Sequence, residues 1–308
     1  MSVKNGINGW AGSVLRVNLT TGAITTEDTL PKYKPYIGGM GLGYKVIWDE
    51  VPLDSDPLGP AAKAVFAIGP LTASGVPCSG RMNVSFLSCW SKGYSIVDAH
   101  MGGHIAHAMK YAGYDAIIKP VLEGFFGEGC VDKPKAYTPI NENKIKLTKW
   151  AFNGKQWHDS ATLCNWMYPM TIATSKKRGY VGDLDLDAKY MSAVVGEDYT
   201  RESLEFDSER ISQLLRVMTA VSFKLNLGST NLRQDHDQPS DWVFDKDPDF
   251  KPFEEGTVKL DREDFAKALD MWYDAMGWSR ETGIPTRETL EKFDLGDCAD
   301  KLEELGLI

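Results

Sequence analysis

The chain has 308 residues, 43% of them apolar and 25% charged, enough to bury a sizeable core as one large or two ordinary domains. A formal charge of −9 with no basic stripe argues against a nucleic-acid partner. No apolar run approaches a membrane span, and the opening Met1-Ser-Val-Lys-Asn-Gly6 lacks a signal-peptide core, so a cytoplasmic protein is the expectation.

In chain order, residues 13–27 alternate around Thr20-Thr21-Gly22 and predict a hairpin. The glycines of Gly38–Gly43 predict a bend that opens one or two helical turns over Tyr44–Val51. Ala64–Ile68 reads as a short buried strand and Met82–Leu87 as an alternating one. A short helix near 104–112 and a strand at 115–118 follow, which makes this part β-rich with few helices. Between 119 and 136, proline, glycine and charge without periodicity mark a junction. Beyond it the pattern becomes helical. Leu204, Ile211, Leu214, Leu215, Met218, Val221 and Leu225 keep helical spacing through 200–226, with Thr200 as N-cap. Asp261 opens a second helix whose apolar face is Phe265, Leu269, Trp272, Tyr273 and Met276, and Gly277 closes it. Short helices at Thr286–Phe293 and Asp297–Leu305 complete the chain. The expected fold class is α+β: a β-rich domain over 1–119, a junction over 120–136 and a mainly α-helical domain over 137–308.

Five segments carry chemistry, and each has a plainer reading beside it. Gly38-Gly39-x-Gly41-x-Gly43 suits either a phosphate-cradling loop or a tight structural turn, and its spacing is not that of a dinucleotide fingerprint. Arg81 closes a loop of small residues, where a guanidinium grips phosphate, or it is a surface arginine. His100, His104 and His107 have the spacing of a zinc site on one helical face, but Gly102-Gly103 interrupts that helix. Asp159-Ser-Ala-Thr-Leu-Cys164 reads either as a ligand motif or as a core helix with Leu163, Trp166 and Met167 packing and an inert Cys164. Asn231–Asp237, followed by Trp242–Asp245, forms a loop rich in Arg, His and Asp after a long helix, a common place for binding residues. The five cysteines (Cys78, Cys89, Cys130, Cys164, Cys298) are scattered, with no Cys-x-x-Cys pair, and make neither a disulfide framework nor, alone, an iron–sulfur site.

Taken together, Gly38–Gly43, Gly69-Pro-Leu-Thr through Arg81, Gly102-Gly103, Ala112–Ile118, Asp159–Cys164 and the tail Gly277–Leu290 resemble the aldehyde ferredoxin oxidoreductase family, nearest its less-studied bacterial members. The resemblance implies a β-rich pterin-binding base over 1–119 and the family's helical region beyond about 137. It implies a tungsten or molybdenum bis-pyranopterin, magnesium between the pterin phosphates and a [4Fe–4S] cluster, with electrons passed to a ferredoxin-like carrier. By the same resemblance Gly39 and Gly41 lie against a pterin, Arg81 holds its phosphates and Asp159 its ring nitrogens. Leu163 belongs to that aspartate's motif, and Cys164 supplies a cluster thiolate. His100 stands where better-known members have an asparagine near the magnesium, with Gly102 and Gly103 beside it. The segment 231–245 lines the approach to the metal. Thr162 replaces the glycine of the family's Asp-x-x-Gly-Leu-Cys motif.

Typical members are far longer, and three of their features have no counterpart in this sequence: the Cys-x-x-Cys-x-x-x-Cys cluster motif, the first pterin-binding Asp-x-x-Gly-Leu motif and a proton-carrying Glu/His pair. One thiolate cannot hold a four-iron cluster, so a second chain, a homo-oligomer or a central segment is expected to complete the site. The expected function is oxidation of an aldehyde-type substrate. The alternatives are an inactive, internally truncated remnant acting as a binding or assembly module, and a zinc protein built on the three histidines.

Overall fold

The computed structural model describes residues 9–10, 13–17, 23–28, 30–57, 59, 61–72, 76, 79, 81–88, 95–101, 140–163, 182–239, 244 and 261–308. The readings at 104–112, 115–118 and 119–136, the residues Gly102, Gly103, His104, His107, Cys78, Cys89, Cys130, Cys164, Trp166 and Met167, and all of Trp242–Asp245 except Phe244 lie outside them.

Strands β1 (Ser13–Val17) and β2 (Ile24–Asp28) pair antiparallel with Val14 opposite Glu27 and Arg16 opposite Thr25, the hairpin that the alternation predicts. Arg16 then reaches Glu27 at 2.7 Å and Glu50 at 2.6 Å, tying the hairpin to the helix that follows. After a single-turn helix α1 (Leu30–Tyr33) and a 3-10 turn through Pro35 comes α2 (Gly39–Glu50). Here the structure corrects the sequence reading: the glycines are not a bend before the helix but its first turns. Glycine is a poor helix former, so tertiary contact decides this, as the close packing of these positions shows below.

Strands β3 (Val65–Ala67), β4 (Met82–Leu87) and β5 (Ile96–Met101) form an antiparallel sheet in the order β3-β4-β5. β4 alternates as expected, but the face turned inward is Asn83, Ser85 and Leu87, while Phe66 and Phe86 stand on the outer side, 64% and 37% exposed. β5 was not read from the sequence, and it places His100 on a strand, not on a helix.

The second half is helical: α3 (Glu142–Ser160), α4 (Leu186–Val195), α5 (Arg201–Leu227), α6 (Leu232–Asp235), α7 (Arg262–Met276), α8 (Arg287–Lys292) and α9 (Gly296–Glu304). The predicted caps hold. Thr200 and Ser203 form a reciprocal capping box, Asp261 accepts from Glu263 and Asp264, and Gly277 closes its helix in the left-handed region, as does Gly228, which the sequence reading did not single out. α5 carries the apolar stripe Leu204, Ile211, Leu214, Val217, Met218 and Val221, all buried, each side chain worth about 1.5–3 kcal/mol on removal from water.

The architecture is thus a mixture of helices with a small sheet. The described strands all lie within residues 13–101 and the elements from 142 on are helices, while α2 sits between sheet and helices and one core runs from Trp10 and Ile47 through Trp157 and Ile211 to Leu302. Among the described residues no helix is long and apolar enough to cross a membrane.

The contact that closes this core is backbone against backbone. A Cβ on Gly69 would lie 2.4 Å from the Ala161 carbonyl carbon, and one on Gly39 2.6 Å from the Asp159 oxygen. Gly154 in α3 has nothing within 4 Å of such a carbon. Gly69→Ala is therefore expected to destabilise the chain by about 1–3 kcal/mol, whereas Gly154→Ala stabilises it by about 0.5–1 kcal/mol, both read from urea unfolding.

Candidate functional site

The site is built where the inward polar face of the sheet meets the end of α3. Across the β4–β5 ladder Asn83 lies opposite His100 and Ser85 opposite Asp98, so four polar side chains share one face. α3 adds Asp159 from its last turn. The helix stops there because Ala161 and Thr162 turn away, Thr162 at φ 61°, while the Leu163 amide returns to the His158 carbonyl at 2.7 Å.

His100 Nε2 lies 3.1 Å from Asp98 Oδ2 and 3.5 Å from Asp159 Oδ1. The Asn83 amide nitrogen is 3.2 Å from both Asp98 Oδ2 and His100 Nε2. The oxygens facing away from this centre have partners of their own. Tyr44 of α2 donates to Asp98 Oδ1 at 2.9 Å, Lys155, one turn before Asp159, pairs with Asp159 Oδ2, and Ser85 donates to Asn83 Oδ1 at 2.7 Å. Burial pushes the Asp98 carboxyl up, but the hydrogen bonds from His100 and Tyr44 outweigh it and leave the group below its ordinary value. Burial, with Asp98 adjacent, raises the Tyr44 phenol well above its ordinary value. His100 Nδ1 is buried without a hydrogen-bond partner among the described residues. Asp98, His100 and Asp159 each offer a ligand atom within 4.8 Å of the others, a donor set suited to a cation.

The structure thus joins two sequence candidates, His100 and Asp159. Leu163, fully buried, follows in the core. Gly39 and Gly41 pack beneath: the Gly39 amide donates to the Ile68 carbonyl at 3.0 Å, and that of Gly41 to Ser160 Oγ at 3.2 Å. Arg81, half-buried ahead of β4, takes no part in the cluster's hydrogen bonds. Asn83, Asp98, Tyr44 and Lys155 were not singled out from sequence. The available signal was two buried-side polar residues, Asn83 and Ser85, within an otherwise apolar alternating strand.

The loop 231–237 does not join this cluster. Asp237 accepts from Arg216 on α5 and Tyr273 on α7, and its carboxyl is lifted by burial yet held far below the carboxylate range by His236 and Arg216. That loop fastens the helices. A separate cleft of about 300 Å³ between α3, α4 and α5 is lined by Trp150, Trp157, Asp187 and Arg201. Its Asp187 accepts from Trp157 Nε1 at 2.5 Å.

Thr162 explains what its replacement of glycine entails. At φ 61° a β-branched residue is strained, yet its hydroxyl meets Thr72 Oγ1 at 2.5 Å and the Gly69 amide at 3.3 Å.

The family models that match are "Aldehyde ferredoxin oxidoreductase, N-terminal domain" over residues 14–162 and "Aldehyde ferredoxin oxidoreductase, domains 2 & 3" over 94–295. Among curated proteins, the chain is 36% identical over 140 residues to the tungsten-containing aldehyde ferredoxin oxidoreductase of Pyrococcus horikoshii, covering 45% of this chain and 21% of that protein. It is 36% identical over 137 residues to the one from Pyrococcus furiosus, covering 44% and 21%. The match thus spans about a fifth of the length of these relatives. Among solved structures, the active-site complex BamBC of benzoyl coenzyme A reductase with 1,5-dienoyl-CoA superposes on 56% of this chain and 22% of that one, at 20% identity and a TM-score of 0.38.

Two outcomes are expected. Thr162→Ala keeps the strain and loses the hydroxyl, so it unfolds more readily than Thr162→Gly, by about 1–2 kcal/mol in urea melts. Because the Asp98 carboxyl is lowered by folding, its stabilisation is present above the ordinary aspartate range near about pH 4 and is lost as pH falls further. The stability difference between wild type and Asp98→Asn, measured from pH 3 to 7, is expected to shrink at the acid end.

Proposed function

The chain belongs to the aldehyde ferredoxin oxidoreductase family, and from that premise we propose that it is part of a tungsten- or molybdenum-dependent enzyme that oxidises an aldehyde-type substrate to its acid. The observation that supports this reading best is the meeting of Asp159 and His100, from motifs far apart in sequence, in one half-buried polar cluster.

The residues present fit the polar edge of a pterin in kind. Asp159 is a buried carboxylate whose outer oxygen is held by Lys155, leaving Oδ1 as an acceptor for ring N–H groups. His100 offers an imidazole for a phosphate or for the water around a magnesium ion, and Arg81, two residues before Asn83, offers a guanidinium. The glycines contribute differently from a phosphate cradle. The Gly39 and Gly41 amides are already bonded, and the room left by their missing side chains is filled by the end of α3. Their part in this reading is to seat Asp159. By the family resemblance Gly102, Gly103 and Leu163 would lie beside the cofactor, and Cys164 would serve as one thiolate of a [4Fe–4S] cluster.

When bound, the metallopterin supplies the acceptor for the two electrons of the oxidation. This chain orients it: Tyr44 and Lys155 fix two carboxylates, and the buried sheet face excludes water from them. The remaining cluster thiolates come from a second chain or another copy, and a ferredoxin-like carrier in the cytoplasm takes the electrons.

Protein purified anaerobically together with whatever chain completes the site, with intact masses measured on the same sample, is expected to hold about one tungsten or molybdenum and about four irons per complete site. Asp159→Asn should lower the tungsten or molybdenum content. Neither metal nor iron at the 34.2 kDa mass would overturn the catalytic reading and favour a binding or assembly module.

A further inference from the structure

We infer that the cleft of about 300 Å³ between α3, α4 and α5 is a binding site for a small arylalkylamine, an aromatic ring carrying a primary ammonium group. It shares no side chain with the Asp159–His100 cluster and does not rest on the oxidoreductase reading.

The argument begins with Asp187, in the first turn of α4, which lines the cleft and is 4% exposed. Its Oδ2 is engaged twice: the Trp157 indole N–H donates to it, and His158 Nε2 lies 3.2 Å away. Its Oδ1 is buried and has no hydrogen-bond partner among the described residues. A carboxylate oxygen left buried and unpaired is costly, so a donor is wanted there. This oxygen can only accept, and an ammonium group makes a charge-assisted bond of that kind.

The second observation is the rest of the lining. Trp150 and Trp157 share the cleft with Leu184, Ala188 and Leu204. Those side chains suit an aromatic body, and indoles beside a carboxylate also attract a cation. The volume stands at the lower end of small-molecule sites, which fits one ring on a short stem. The cations of the lining do not compete for Asp187. Lys149 is held by Glu209 at 2.8 Å and by the Ala275 carbonyl at 2.6 Å, and Arg201 lies within 4.0 Å of Asp185, Glu202 and Glu205. Lys146 is exposed to water.

The third observation is Gly154, inside α3, which also lines the cleft. A Cβ there would meet nothing within 4 Å. Glycine weakens a helix interior, and no close neighbour among the described residues requires it here. What its missing side chain leaves is open cleft.

The test is calorimetric titration of the full chain with 2-phenylethylamine. Two analogues run beside it: 2-phenylethanol keeps the ring without the charge, and propylamine keeps the charge without the ring. One amine per chain is expected, with each analogue at least about tenfold weaker. Asp187→Asn, which keeps an oxygen for Trp157, should weaken the amine at least about tenfold. Circular dichroism checks folding. Should that variant not fold, Gly154→Leu decides, because leucine favours the helix and fills the cleft, and the amine should again bind at least about tenfold more weakly. His100→Ala should bind as wild type. No binding of the amine, equal binding of either analogue, unchanged affinity in folded Asp187→Asn or Gly154→Leu, or loss of binding in folded His100→Ala would each overturn the site. The oxidoreductase reading stands or falls separately, on tungsten, molybdenum and iron content.

Discussion

The close approach of Gly39 and Gly69 to the backbone of residues 159–162 is the constraint on which the rest of this molecule depends. A Cβ at Gly69 would overlap Ala161, and at Gly41 it would overlap the Tyr36 carbonyl, with 2.3 Å between them. Only residues without side chains let α2 and the Gly69 turn lie directly on the end of α3. The site follows from that contact. Asp159 is the last residue but one of α3, and its carboxyl reaches His100 only because the helix end is seated against the sheet's own helix. Removing the glycines would not delete any member of the cluster, yet it would move Asp159 away from His100.

A second set of ties keeps the contact from opening. α5 runs through the core and sends out two buried arginines. Arg210 binds the carbonyls of Pro35 and Phe293 together with Asp207 and Asp294, so one guanidinium joins the segment before α2 to the segment after α8. Arg216 binds the Gly283 carbonyl and Asp237 and lies over the Trp278 ring at 4.3 Å. Burial raises the Asp207 carboxyl to about 6 even with Arg210 beside it. Such pairs add little net stability against apolar replacements, but losing one partner strands the other. They fix geometry, and here the geometry is the position of α5 against the segment before α2 and the residues that follow α7 and α8.

How much of this was legible follows from what each signal reports. Caps are local chemistry, so Thr200, Asp261 and Gly277 announced their helices correctly. The stripe on α5 was legible from its spacing, but Leu225, placed in it by that spacing, is 39% exposed, and the buried Val217 was not among the seven residues. The glycines at 38–43 were legible as special but not as helix, because what makes them helical is a surface more than a hundred residues away. Alternation in Met82–Leu87 announced a strand but cannot say which of two faces is buried, and hydrophobicity points to the wrong one. Asn83 escaped notice for that reason, and Asp98 because its strand was not read from the sequence. His100 was noticed, but the histidines at 104 and 107 suggested a helical partnership, whereas the strand register gives it Asn83 and Asp98.

The inverted sheet is where these observations converge. Turning Asn83, Ser85, Asp98 and His100 inward while Phe66 and Phe86 face out costs burial of polar groups and exposure of apolar ones, and burial of a polar group is tolerable only when it is bonded. The structure bonds nearly all of them: Ser85 to Asn83, Asn83 to Asp98 and His100, and Asp98 to Tyr44. Among the described residues the exception within the cluster is His100 Nδ1. A folded chain free to choose would bury Phe86 and expose Asn83. That it does the reverse, and supplies Tyr44, Lys155 and Ser85 to hold the outward atoms, means the inward atoms are constrained for something other than stability of the sheet. The edge of a cofactor meets that requirement.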